Sequence, residues 1–298
     1  MTTGQPSPQF GVNVNPAADD IQDSFERTRI ADEHRLDLIA VQDHPYNRNF
    51  LETWTLLSVL GARTAHVRLV TNVANIPLRP PAMLAKMAAT LDVLTGGRFE
   101  LGLGAGAYWQ GIAAYGGPQR SPGESFNAFK DALHIIRGML DRAGGSFTYA
   151  GEFYQVRGAR PGPVPAHDIP LWIGALGPKM LHLTGELADG WLVSQSYVPT
   201  ERLPEMNARI DEGAESAGRS PHAIRRGYNL MGAIDASGRV QVEAGIAGPV
   251  AQWVDEIVRF YRECQMDTFV FWPTAGDELQ QVNIFAQEVV PAVQEALR

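Results

Sequence analysis

VRLVTNVANIPLRPPAMLAKMAATLDVLTGGRFELGLGAG, residues 67–106, is the stretch that decides the fold. Val67–Thr71 is a short apolar run of strand length. A helix follows from Pro80, a residue suited to a first helical turn, to Leu94, where Thr95-Gly96-Gly97 stops it. Phe99–Leu103 is again a strand. A strand, a helix and a second strand in this order make a parallel pair, because only a crossover of that length returns the chain to the same edge.

The same alternation extends outward in both directions. Before it lie strand Phe10–Val14, helix Asp19–Arg35, strand Leu38–Val41 and helix Leu51–Thr64. After it, Gly104 to Gly123 is rich in glycine and aromatics without a period, and a helix resumes at Glu124–Arg142 with Phe126, Phe129, Leu133, Ile136 and Leu140 on one face. Ser146–Val156 reads as a small hairpin and Arg160–Pro170 as an extended, proline-rich connector. Strands at Leu171–Ile173, Trp191–Val193, Tyr228–Ala233 and Thr268–Trp272 then alternate with helices at Lys179–Ala188, Glu201–Ala217, Pro249–Cys264 and Glu278–Leu297. About eight strand–helix pairs result, with one interruption after the fourth strand, at 104–123, and the hairpin and connector at 146–170. The pattern predicts an α/β fold, a (β/α)8 TIM barrel in one domain over 1–298, with an open doubly wound sheet as the alternative.

Composition narrows the function. Of 298 residues, 45% are hydrophobic and 19% charged, as in an ordinary globular enzyme. The formal charge of −8 argues against nucleic acid, which needs a basic face. The single cysteine, Cys264, excludes an intramolecular disulfide and fits a reducing compartment. Met1–Gln9 has no apolar core of a secretory signal, and no apolar run approaches membrane-spanning length, so a cytoplasmic location is expected. The scattered histidines show no metal-ligand spacing, so no metal is expected.

In a parallel barrel the chemistry gathers where strands end. The second strand ends in Asp43-His44, the third in Thr71-Asn72, the fourth in Gly104-Ala105-Gly106, the fifth in Gly174-Ala175-Leu176-Gly177-Pro178, and the sixth in Ser194-Gln195. An imidazole at His44 offers acid–base chemistry near neutral pH, or else merely holds its loop. Gly102 to Ala107 satisfies a loose dinucleotide pattern, but no helix opens at once and Glu124 begins a helix instead of ending a strand. These glycines are read instead as letting a flat ring lie close to the backbone. The Gly174–Pro178 turn leads straight into a helix, where exposed N–H groups favour an anion. Tyr108, Trp109, Tyr115, Phe153 and Tyr154, in or beside the interruption, suit the roof of an apolar pocket, or plain loop packing.

Several segments together resemble the luciferase-like monooxygenase superfamily of flavin- and deazaflavin-dependent enzymes. They are Val70-Thr71-Asn72 running to Arg79-Pro80-Pro81, Thr95 through Gly106, Ala188-Asp189-Gly190-Trp191, Asp267 through Pro273, and Glu288 through Ala292. The resemblance implies a TIM-like barrel and a non-proline cis peptide under the cofactor ring at Thr71–Asn72. It also implies a cofactor phosphate at Ala175, Leu176 and Gly177. The Asp-His pair resembles the branch that uses coenzyme F420, with Asp43 beside the ring and His44 facing substrate, while Gln110 stands where a carboxamide contacts the cofactor. Gly104 and Gly106 belong to the same ring site. Ala107 departs from the glutamate of some sugar-phosphate dehydrogenases in that branch, which argues against a second carboxylate acid. The expectation is an F420-dependent oxidoreductase acting on a small molecule, working as a homodimer. An FMN-dependent monooxygenase and a non-catalytic flavin-binding protein are the rivals.

Overall fold

A computed structural model describes residues 4–242 and 245–298. Its strands are β1 (Gln9–Val14), β2 (Leu38–Val41), β3 (Arg68–Thr71), β4 (Ala74–Asn75), β5 (Phe99–Gly104), β6 (Phe147–Ala150), β7 (Gln155–Ala159), β8 (Leu171–Ile173), β9 (Gly190–Ser194), β10 (Arg225–Ile234), β11 (Ile246–Gly248) and β12 (Thr268–Pro273). The helices are α1 (Ile21–Glu33), α2 (Thr53–Ala62), α3 (Pro81–Thr95), α4 (Trp109–Ala114), α5 (Pro122–Met139), α6 (Pro178–Leu187), α7 (Leu203–Ser216), α8 (Val250–Cys264), α9 (Glu278–Ile284) and α10 (Val290–Ala296).

Eight of the strands pair in parallel in the order β1, β2, β3, β5, β8, β9, β10, β12, and β12 pairs back onto β1. This is the closed barrel, and the open sheet is excluded. Strand alternation divides its apolar residues into two clusters. Phe10, Val12, Val14, Ile39, Val41, Leu69, Phe99, Leu101 and Phe269 face outward to the helices, while Leu38, Ala40, Val70 and Val270 form a separate cluster inside.

The interior is layered along the axis. At the N-terminal end Arg68 and Glu100 form an ion pair at 2.6 Å, and Trp172 Nε1 donates to the same carboxylate at 2.6 Å. The Trp172 ring fills space that a Cβ on Gly190 would enter at 2.2 Å. The apolar layer lies above it. At the C-terminal end, by the same alternation, stand Asn13, Asn72, Ser194 and Asn229.

The interruption after β5 is more ordered than its sequence indicates, for it contains the short helix α4. The expected helix follows as α5, which begins at Ser121 with a reciprocal capping box to Glu124, and the expected hairpin as β6–β7. Asp131 on α5 ties that hairpin down, accepting from Tyr149 Oη at 2.9 Å and from the Phe153 amide at 2.8 Å. The final helix, expected to be continuous from 278 to 297, widens into a π turn at Phe285–Val289. Pro291 follows at once. It has no N–H to continue the regular ladder, and the wider turn absorbs the mismatch.

Thr71 also marks a local departure. The β3–β5 ladder stops after Val70, and the Thr71 hydroxyl takes over, donating to Gly102 O at 2.7 Å while accepting from Gly102 N at 2.9 Å. The chain then bulges and rejoins β5 as β4, with Ala74 opposite Leu103. The non-proline cis bond lies at Asn72–Val73, one residue beyond the expected Thr71–Asn72. The reason is register: the Asn72 amide still bonds to Val41 O at 2.7 Å, so the regular ladder holds to that residue.

Two glycines test this account. A Cβ on Gly102 would stand 1.9 Å from Thr71 O, a backbone atom that cannot swing away, whereas Gly177 has nothing within 4 Å and an ordinary φ of −89°. Gly102→Ala is expected to destabilise the protein by about 3 kcal/mol through overpacking. Gly177→Ala should cost less than about 1 kcal/mol, as a weaker helix cap. Denaturant midpoints measure both, and equal losses would contradict the assignment.

Candidate active site

The site is built from the loops at the C-terminal ends of β2, β3, β5, β8 and β9. The loop after β2 carries Asp43, whose side chain is fully buried. Its Oδ2 accepts from the Asn75 amide at 2.8 Å and from Arg79 at 2.5 Å, and Oδ1 accepts from Arg79 at 3.1 Å. Arg79 also reaches Glu52 at 2.6 Å, the residue whose carboxylate caps α2 through the Thr55 amide. Burial disfavours the guanidinium charge, but Asp43 and Glu52 outweigh it and hold the Arg79 pKa above its usual value. Asp43 is thus a clasp joining β2, β4, α2 and the entry to α3. Its carboxylate is enclosed.

His44 follows it with an exposed edge. Its Nδ1 shares a hydrogen bond with the Tyr46 hydroxyl at 2.8 Å, which leaves Nε2 without a partner among the described residues. Burial holds the His44 pKa below the ordinary histidine range, and the Asp43 charge opposes that shift. Burial likewise raises the Tyr46 pKa, with Asp43 and Tyr197 adding to it, so the phenol keeps its proton. The result is an imidazole that is largely neutral at pH 7, with one nitrogen held and one open.

The other expected residues fall around the same end of the barrel. Thr71 is fully buried and serves the β3–β5 junction. Asn72 exchanges hydrogen bonds with Asn229, at 2.9 and 3.3 Å, and Asn229 donates to Ser194 Oγ at 2.8 Å. Gly104 leaves room for Val73, whose Cγ2 a Cβ there would meet at 2.8 Å. The glycine run therefore admits the β3 bulge. Gly106 has φ +93° and is crowded by Pro77, Ile112 and Trp109. Gln110 is exposed on the first turn of α4.

At the turn after β8, Ala175 is buried and its carbonyl accepts from Trp191 Nε1 at 2.9 Å. Leu176 is 50% exposed. Gly177 is the N-cap of α6, and no side chain caps that helix.

Two observations bear on whether a flavin-type cofactor fits. The Asn13 carboxamide at the barrel's C-terminal end is fully buried, yet neither of its polar atoms has a protein partner. A buried amide in that state is costly unless something else satisfies it. The uncapped N-terminus of α6 stands open, with free space over Gly177 for an anionic group. The residues present fit the group.

Tyr46, Asn13, Asn229 and Tyr197 are not singled out by the sequence, and Arg79 stands in a quoted motif without a role. For Tyr46 a signal existed, its position two residues after His44. For Arg79 only the fold shows that residues 36 apart share one ion pair. Among the described residues no cluster of three metal-ligating side chains occurs, and no helix is long and apolar enough to cross a membrane.

The model of the luciferase-like monooxygenase family matches residues 4–265. The chain belongs to that family. A relative, 5,10-methylenetetrahydromethanopterin reductase of Methanolobus tindarius, is 32% identical over 72% of this chain and 62% of its own length. The chain spans about three-fifths of the length of the curated relatives it matches first, from 55% to 62%. Among solved structures, an F420-dependent secondary alcohol dehydrogenase in complex with an F420–acetone adduct superposes with a TM-score of 0.87 at 20% identity, covering 97% of this chain and 99% of that one. A riboflavin lyase with modified FMN and riboflavin gives 0.83 at 14% identity, covering 98% and 92%. At these identities the structural likeness establishes the barrel fold alone.

The coupling of Asp43 to His44 is directly measurable. Asp43→Asn removes the charge that favours the imidazolium, so the His44 pKa should fall further below its ordinary value. Arg79 keeps Glu52, but losing one partner of a buried pair should cost up to about 3 kcal/mol. Histidine NMR titration of the folded variant reads the shift, and a rise would show that the charge does not reach the ring.

Proposed function

We propose that the chain is an oxidoreductase that binds coenzyme F420 and exchanges a hydride between that cofactor and a small organic substrate. The observation carrying this reading is the His44 imidazole, placed at the barrel mouth with Nδ1 on Tyr46 and Nε2 open, over the Asp43–Arg79 clasp. An FMN-dependent monooxygenase is the second reading, favoured by the barrel's likeness to the riboflavin lyase that holds modified FMN. When bound, the deazaflavin supplies hydride chemistry at a ring carbon with little reactivity toward dioxygen.

The chain's own residues then have separable tasks. Asn13, Asn72 and Asn229 provide amide groups at the floor of the mouth. The Gly177 turn offers backbone N–H groups and the positive end of α6 to a phosphate. His44 Nε2 gives or takes the one proton that accompanies hydride transfer, and its depressed pKa keeps it in the basic form near neutrality. Tyr46 holds the ring in place. Asp43 acts through its loop, as a positioning residue.

A homodimer is part of the proposal, with the exposed apolar side chains Val59 on α2 and Met83 and Leu94 on α3 as candidates for its contact. A cytoplasmic setting is part of the same proposal.

Fluorescence titration with F420 and FMN separately tests the cofactor, and tighter binding of the deazaflavin is expected. Gly177→Val should weaken that binding at least about tenfold with the fold intact, since it fills the open space over the turn. His44→Gln should lose about a hundredfold or more in turnover with little change in cofactor affinity. Tight FMN binding with NADH-driven oxygen consumption in the presence of a reductase would overturn the choice of cofactor.

A further inference from the structure

Three loops at this end of the barrel carry tyrosines. Tyr46 follows β2, Tyr108 caps α4 after β5, and Tyr197 lies in the turn after β9. Tyr46 and Tyr108 meet edge to face at 5.2 Å and 72°, and the Tyr46 ring tilts against His44 at 5.5 Å. Their arrangement is seated by Gly111. A Cβ there would meet the Tyr108 ring at 2.4 Å and Tyr46 Cγ at 2.8 Å, so both rings rest on bare helix backbone. Yet Tyr108 remains 54% and Tyr197 72% exposed, with Leu176 at 50% on the phosphate turn. Tyr108, held this openly against the ring that packs on His44, is surface available to a ligand.

The charges around this wall point the same way. Arg79 is committed to Asp43 and Glu52. Arg120 lies over the rings of Phe153 and Tyr154, at 5.4 and 5.1 Å, and donates to Tyr154 Oη at 3.2 Å. These two guanidinium groups are occupied within the protein, so neither is presented to an anionic substrate. Arg48 on the β2 loop and Lys179 on the first turn of α6 are exposed exceptions.

We propose that the substrate of this site is a neutral, planar, ring-containing compound that stacks on Tyr108 and Tyr46 within reach of His44 Nε2. It is neither a phosphorylated sugar nor a small aliphatic alcohol. This rests on the oxidoreductase reading for its meaning, but the subsite itself is testable by binding alone.

The experiment is calorimetric titration of the F420-loaded protein with three probes: 2-naphthol, cyclohexanol and glucose 6-phosphate. Binding of 2-naphthol at least tenfold tighter than the other two is expected. Tyr108→Ala should weaken it about tenfold and Tyr108→Phe should restore it, with F420 affinity changed by less than twofold. Preference for glucose 6-phosphate would overturn the proposal and point to Arg48. Equal binding of 2-naphthol and cyclohexanol, or indifference to Tyr108→Ala, would also overturn it. The same titrations without F420 separate the two claims. Naphthol binding that depends on Tyr108, in a protein that takes up no deazaflavin, sustains the subsite and sinks the cofactor.

Discussion

The Asp43 carboxylate is the constraint on which the mouth of this barrel depends. It lies out of water, and its two oxygens are taken by the Asn75 amide and the Arg79 guanidinium. Through these contacts the end of β2, the rejoined strand β4 and the start of α3 are fixed to one another, and Glu52 adds α2. Such a pair contributes little over an apolar replacement, but breaking it leaves a buried charge at a cost of about 3–5 kcal/mol. Its value is positional. His44 is the next residue, so the geometry of the acid–base group is set by an interaction it does not itself make.

The clasp works together with the bulge between β3 and β4. Val73 occupies space that Gly102, Gly104 and Gly174 leave clear, its methyl carbons standing 3.2, 2.8 and 3.1 Å from the positions where their Cβ atoms would be. Backbone from β3, β5 and β8 can therefore approach closely at the end of the barrel where polar groups gather. Below, the Arg68–Glu100–Trp172 plug closes the barrel and the apolar layer keeps water from the axis. Above, amides from β1, β3 and β10 are presented upward. The Asn13 amide, with no protein partner, is the point where this satisfied network gives way to a surface prepared for something else.

Much of this was legible beforehand, for identifiable reasons. The elements that recur as short apolar runs and long amphipathic helices were read to within a few residues, because buried parallel strands and crossover helices each leave a period. Leu38–Val41 and Leu171–Ile173 match to the residue. That His44, Asn72 and Gly177 lie just beyond strand ends is legible because strand boundaries follow from the apolar runs. The parts that escaped notice lack a period. Helix α4 has six residues, β4 two and β11 three, all too short to show one. The glycines of 102–106 show in sequence that space is needed, and only the fold shows that Val73 takes part of it.

The sequence by itself determined the alternation of strands and helices, and hence the barrel, since hydrophobic periodicity is a local property of the chain. It also determined which loops carry titratable and glycine residues. Only the tertiary structure decided the roles within those loops. Asp43 proved to be a clasp because Arg79, 36 residues away, folds onto it. Tyr46 and Tyr108 from separate loops meet because barrel closure brings the ends of β2 and β5 to the same mouth. Contacts between residues distant in the chain depend on where the whole backbone goes, and no local pattern of side chains encodes that.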